Sequence, residues 1–94
     1  MLKIAICDDN KSDAAKIETV LSQIRSAPLD YDVFYHADEL LRYLSVQEEG
    51  YHLYIFDIEM PGMSGLKLAE EVRKRDAKAL FVFLTGHPEY VMEV

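Results

Sequence analysis

Apolar runs alternate with stretches of helical periodicity along almost the whole sequence, and this alternation constrains the fold more than any other feature. Leu2 to Cys7 is apolar at almost every position, the pattern of a parallel strand covered on both faces. Ile17, Val20, Leu21 and Ile24 then follow the i, i+3, i+4, i+7 spacing of an amphipathic helix. That helix is predicted from Lys11 to Ser26, with Asp9, Asn10 or Ser12 to cap its start and Pro28 to mark its end. Tyr31 to His36 reads as a second strand, rich in aromatic and β-branched side chains. Ala37, Leu40, Leu41 and Leu44 repeat the helical spacing in a second helix that Gly50 terminates. A third strand, His52 to Phe56, ends at Asp57. Pro61, Gly62 and Gly65 then mark Glu59 to Gly65 as a loop. A third helix from Leu66 to Arg75 turns Leu68, Ala69 and Val72 inward. The fourth strand, Ala79 to Leu84, ends at Thr85 and Gly86, and a last helix begins after Pro88 with Tyr90 and Val91.

Three βα units and a fourth strand predict a parallel sheet with right-handed crossovers and helices on both faces. The 94 residues make one domain at most, and half of them are hydrophobic, which excludes intrinsic disorder as the default. With strand 3 beside strand 1, opposite strand 2, the order is 2-1-3-4. Open α/β sheets bind ligands outside the carboxyl ends of the strands at the switch point, here between strands 1 and 3. Asp8, Asp9 and Asp57 occupy those two ends.

Three carboxylates from distant parts of the chain thus converge without a local base to neutralise them. Repulsion and desolvation make such a cluster costly unless a hard cation resolves it, and oxygen ligands with room for waters suit Mg²⁺. Such a site can also bind a phosphoryl group. The plainer alternative is that Asp8 and Asp9 cap the first helix and Asp57 merely ends a strand.

Other function classes are disfavoured by composition. Ten Lys plus Arg against 17 Asp plus Glu give a net charge of -7, which repels a phosphate backbone or an anionic bilayer. The one dense basic cluster, Arg73, Lys74, Arg75 and Lys78, is diluted by Glu70, Glu71 and Asp76, so no direct nucleic-acid binding is expected. No apolar run approaches the roughly 18 residues of a membrane span. Ile4 to Cys7 meets Asp8 and Asp9 too soon for a secretory signal, and a cytoplasmic location is expected. Cys7, the single cysteine, reads as buried packing, and His36, His52 and His87 lack metal-ligand spacing.

Three segments carry a family likeness: Ile6-Cys7-Asp8-Asp9-Asn10, Ile55 to Gly65 (Ile-Phe-Asp-Ile-Glu-Met-Pro-Gly-Met-Ser-Gly), and Phe83-Leu84-Thr85-Gly86-His87. Together they resemble the receiver domain of two-component response regulators, over nearly the whole chain. Leu84 to Tyr90 is most similar to receivers attached to LytTR-type DNA-binding domains. The resemblance implies an α/β, flavodoxin-like (CheY-like) doubly wound sheet, and residues 1–94 as a receiver domain. It also implies a cytoplasmic signalling module rather than an enzyme, within a transcriptional regulator, with a sensor histidine kinase as phosphodonor. By residue, Asp57 matches the phosphoacceptor, Asp9 and Asp57 direct Mg²⁺ ligands together with the backbone carbonyl of Glu59, and Asp8 an acid that binds through water. Thr85, with Gly86 after it, matches the switch hydroxyl that contacts the phosphoryl group. Glu59 and His87 match positions that adjust how long that group survives, His87 being equally readable as an ordinary loop histidine. Pro61 and Gly65 match structural loop positions.

One departure accompanies the match. The family has a fifth strand ending in a lysine, then a fifth helix, and neither is found in this sequence, so it reads as a receiver cut before its fifth βα unit. Strand 4 is then expected as an open edge with Phe81 and Phe83 partly uncovered, inviting self-association or a homodimer. Metal binding is expected to survive better than switching, and a receiver-like interaction module that no longer switches is the first alternative. A Mg²⁺-dependent phosphatase of the haloacid-dehalogenase type is more remote. It wants a second Asp two residues after the nucleophile, where this chain has Glu59.

Overall fold

The structure is a computed structural model that describes residues 1–85. The expected last helix, with Tyr90 and Val91, lies outside the described residues. Four parallel strands, β1 (Leu2–Cys7), β2 (Leu29–Phe34), β3 (Leu53–Asp57) and β4 (Leu80–Leu84), form one sheet in the order β2-β1-β3-β4. Three helices connect them: α1 (Lys11–Ser22), α2 (Ala37–Val46) and α3 (Gly65–Arg75). Both the alternation of elements and the strand order agree with the sequence reading.

The two faces of the sheet are covered unequally. Ala5, Cys7, Tyr54 and Phe56 point to one face and are buried under Ala37 and Leu40 of α2 and Leu68, Ala69 and Val72 of α3. Aromatic rings extend that core sideways: Phe34, Tyr51, Tyr54 and Phe81 follow one another at centroid separations of 6.3, 5.7 and 5.4 Å. Ile4, Ile6 and Ile55 point to the other face, where α1 brings Leu21 and, half-buried, Ile17. Period-2 alternation along β1 and β3 therefore supplies both cores, as a doubly covered parallel strand requires.

Several boundaries differ from the sequence reading, each for a local reason. Helix α1 ends at Ser22 rather than Ser26, because the Gln23 and Ile24 N–H groups donate to the carbonyls three residues back, at 3.1 and 3.2 Å. Such tightening closes a helix rather than extending it. Ile24 is consequently exposed instead of facing the core, and Val20, within the helix, is exposed as well. Strand β2 starts two residues before Tyr31, since its register pairs Leu29 with Leu2, and His36 becomes the N-cap position of α2. Helix α2 stops at Val46, before Gly50. On β4 the phenylalanines are half-buried against the α2/α3 core, and the exposed residues are Leu80, Val82 and Leu84 on the α1 side.

Candidate functional site

The carboxyl ends of β1 and β3 are built to hold carboxylates close together. The Asp8 N–H donates to the Phe34 carbonyl at 3.0 Å, extending the strand pairing one residue beyond β1 and turning the Asp8 side chain inward, where it is 3% exposed. One Asp8 oxygen accepts the Asn10 N–H at 2.9 Å. Asn10 in turn caps α1 by accepting the Asp13 N–H at 3.0 Å. Of the three proposed caps, Asn10 is the one used, while Asp8 shapes the turn before it. Asp9 between them stays exposed.

On the other strand, Asp57 is the last residue of β3, and the Ile58 N–H donates to the Leu84 carbonyl at 2.9 Å. The chain then loops out and returns, and the Gly65 N–H donates to the Ile58 carbonyl at 2.9 Å as α3 begins. A side chain at Gly65 would run into the Asp57 carbonyl, with its Cβ also 3.2 Å from the Ile58 Cα. Glycine is required there because the start of α3 lies directly on the strand end that carries Asp57. Gly62, with φ of 84°, is the loop position where a left-handed backbone demands glycine. Ser64 caps α3 by accepting the Lys67 N–H at 3.2 Å. Met60 and Met63 anchor the loop against the core, Met60 Sδ lying 3.9 Å from Cys7 Sγ. Pro61 sits exposed at the turn between them.

Asp8, Asp9 and Asp57 each bring a carboxylate oxygen within 4.8 Å of the others. The electrostatic consequence is visible in their acidities. Burial first, then the Asp8 charge, then Asp9 and Asp13, push the Asp57 carboxyl up to about 6, although the Glu59 N–H donating to it acts in the opposite sense. Burial also raises Asp8, against the Asn10 N–H, with Asp13 and Asp9 adding to the rise. These groups are held in a geometry that opposes their own ionisation, as expected of carboxylates whose charge a cation would balance. The donor set is all oxygen and anionic, which fits a hard divalent ion such as Mg²⁺. Cys7 beside it is fully buried and pushed up to about 12, chiefly by that burial, so it is packing rather than a reactive thiol.

An open cleft of about 310 Å³ lies at this end of the sheet, with Asp8, Asp57 and Thr85 among its lining residues. Glu59 is exposed beside Asp57. Gly86 and His87 lie outside the described residues. Asp13 and Lys16, which also line the cleft, escaped the sequence reading. Their signal was available in the helical spacing, since both occupy the turns of α1 that follow the Asn10 cap.

Comparison with known proteins is consistent with this geometry. A family model described as "Response regulator receiver domain" matches residues 4–94. Transcriptional regulatory protein NatR of Bacillus subtilis is 30% identical over 93 residues, spanning 98% of this chain and 38% of its own length. Response regulator protein TodT of Pseudomonas putida is 31% identical over 91 residues, again with 38% of its length covered. The chain therefore spans well under half of these relatives. Among solved structures, response regulator protein TrrA of Thermotoga maritima in complex with Mg²⁺-BeF superposes with a TM-score of 0.79 at 32% identity, covering 96% of this chain and 74% of that one. A complex of histidine kinase ThkA with TrrA gives 0.74 at 30% identity, covering 99% and 76%.

Proposed function

This chain belongs to the response regulator receiver family, and on that premise we propose that residues 1–94 act as a receiver domain whose Asp57 accepts a phosphoryl group from a sensor histidine kinase. The observation that carries the proposal is the convergence of Asp8, Asp9 and Asp57 within 4.8 Å at the ends of two neighbouring strands. An Asp57 oxygen would attack the phosphorus of a phosphohistidine. The P–N bond breaks, the imidazole nitrogen leaves with the electron pair, and an acyl phosphate remains on Asp57. Bound Mg²⁺ would supply charge neutralisation for the transferring group. Asp9, Asp57 and the Glu59 carbonyl would hold it directly, and Asp8 through water. Thr85, lining the same cleft, would donate its hydroxyl to a phosphoryl oxygen once transfer is complete. Gly86, beside Thr85, belongs to the same proposal, as do Glu59 and His87 as modulators of the acyl phosphate's lifetime.

The kinase partner is supported by the ThkA–TrrA complex and the metal by the Mg²⁺-BeF complex of TrrA. The name of NatR, a transcriptional regulatory protein, supports a role in transcriptional control. A cytoplasmic location, and no enzymatic turnover beyond the domain's own phosphorylation and dephosphorylation, belong to the same proposal. Attachment to a LytTR-type output domain rests on the Leu84 to Tyr90 segment alone. The exposed Leu80, Val82 and Leu84 support self-association of this chain along β4. A concentration-independent monomer in sedimentation would remove that last reading.

Incubation with Mg²⁺ and a small-molecule phosphodonor such as acetyl phosphate is expected to label the protein with base-labile phosphate. Asp57→Asn should abolish the label, and chelation of Mg²⁺ should do the same. Undiminished labelling of Asp57→Asn would overturn the assignment.

A further inference from the structure

Lys16 is the one cationic side chain among the described residues that line the acidic cleft. It projects from α1, whose position is fixed by the Asn10 cap, by buried Ala14 and by Leu21 in the core beneath. Its Nζ lies 3.8 Å from Asp13 Oδ1, one turn earlier on the same helix. The two side chains are 77% and 54% exposed, so the pair is a weak tether of the kind worth little in water. Asp13 lines the same cleft, and its negative charge helps to weaken the acidity of both Asp8 and Asp57, so its carboxylate is close enough to both to add to their repulsion.

Charge decides what such a cation is for. A phosphoryl group on Asp57 brings about 1.5 to 2 negative charges into a cleft that already holds Asp8, Asp9 and Asp13. One divalent ion leaves a substantial excess of negative charge, and the cleft offers Lys16 to meet it. A lysine ammonium on its four-carbon stem can exchange partners at small cost, and a multiply charged phosphoryl group is a stronger acceptor than one exposed carboxylate. We propose that Lys16 is a phosphoryl-binding residue, tethered by Asp13 until a phosphoryl group on Asp57 takes over as its counter-ion. The inference rests on the reading of Asp57 as the phosphoacceptor. It assigns to α1 an electrostatic contact with the phosphoryl group and makes Asp13 a competitor for that contact.

Beryllium fluoride, a phosphoryl mimic, tests this on the 94-residue chain, with binding followed by ¹⁹F NMR at saturating Mg²⁺. Lys16→Gln is expected to weaken beryllofluoride binding about three- to tenfold, as for loss of one charge-assisted contact at a partly solvated site. Lys16→Arg should restore it, and Asp13→Asn should tighten it by removing both a competitor and a repulsive charge. Mg²⁺ affinity without beryllofluoride should not fall in Lys16→Gln, and its thermal melt should match that of the wild type. Equal beryllofluoride affinity in the wild type and Lys16→Gln overturns the role of Lys16 while leaving Asp57 untouched. Weakened Mg²⁺ binding in Lys16→Gln overturns it too, because the effect would then not be specific to the phosphoryl group. Undiminished binding by Asp57→Asn, or none by the wild type, removes the reading of Asp57 and this inference with it.

Discussion

The two ends of the sheet are made of similar loops and treat charge in opposite ways. At the amino end, positive and negative side chains mix: Lys3, Glu48, Glu49, Arg75, Asp76 and Lys78 surround one open groove. Backbone groups there are tied off locally, the Lys3 N–H on His52 Nδ1 at 2.9 Å and the Lys78 N–H on Asp76 Oδ1 at 3.0 Å. At the carboxyl end three aspartates converge within 4.8 Å, and Asp13 adds a fourth negative charge nearby. The amino end serves to close the fold. The carboxyl end concentrates like charges that one exposed lysine, Lys16, offsets only in part, an arrangement that a folded protein tolerates where function requires it.

Gly65 offers the sharpest way to break this contrast. Gly65→Ala forces a Cβ against the Asp57 carbonyl, and the strand end that carries Asp57 must move to make room. A loss of about 2–3 kcal/mol in denaturant unfolding is expected, as for overpacking against backbone. Mg²⁺ binding should weaken at the same time. Wild-type stability in that variant would mean that the start of α3 does not fix the site.

The next effect is pH-dependent. Asp57 ionises near 6 in the fold, above its ordinary value of 3.8, so between those values the native state holds more protons than the unfolded chain. Metal-free stability therefore falls as pH rises through that window, by about 1 kcal/mol once the partial solvation of the carboxyl is allowed for. Mg²⁺ reverses the trend, because it binds the ionised form. At a hundredfold excess over its Kd it should stabilise the protein by about 2–3 kcal/mol at pH 7.5, and by much less below pH 6. Thermal melts at pH 5 and 7.5, with and without Mg²⁺, check both signs. An increment independent of pH would show that Asp57 is not a ligand.

At the amino end the expected effects are small. His52→Ala removes the acceptor of an exposed N–H and should cost about 0.5–1 kcal/mol, with phosphoryl labelling unchanged. A large loss of labelling would erase the distinction between the two ends.

Much of this was legible in the sequence because one-dimensional periodicity maps directly onto burial. Leu2 to Cys7 and the Leu68, Ala69, Val72 stripe fold as read, and the observed 2-1-3-4 order is the one obtained by placing strand 3 beside strand 1. The convergence of Asp8, Asp9 and Asp57 was legible too, since ligands gather at the strand ends of such a sheet. Less legible was whatever depends on local closure. The end of α1 is set by the backbone bonds of Gln23 and Ile24, and the start of β2 by its pairing with Leu2. Neither leaves a hydrophobic pattern. Asp13 and Lys16 were passed over because charges on a helix ordinarily read as a solvated face, and only the packing of α1 beside β3 turns them toward Asp57.

Borohydride trapping reads directly which oxygen receives the phosphoryl group. Reduction of an aspartyl phosphate gives homoserine, which peptide mass spectrometry locates. After incubation with Mg²⁺ and acetyl phosphate, homoserine is expected at position 57 alone. Homoserine at Asp8 or Asp9, or stable label on a hydroxyl such as Thr85, would contradict it.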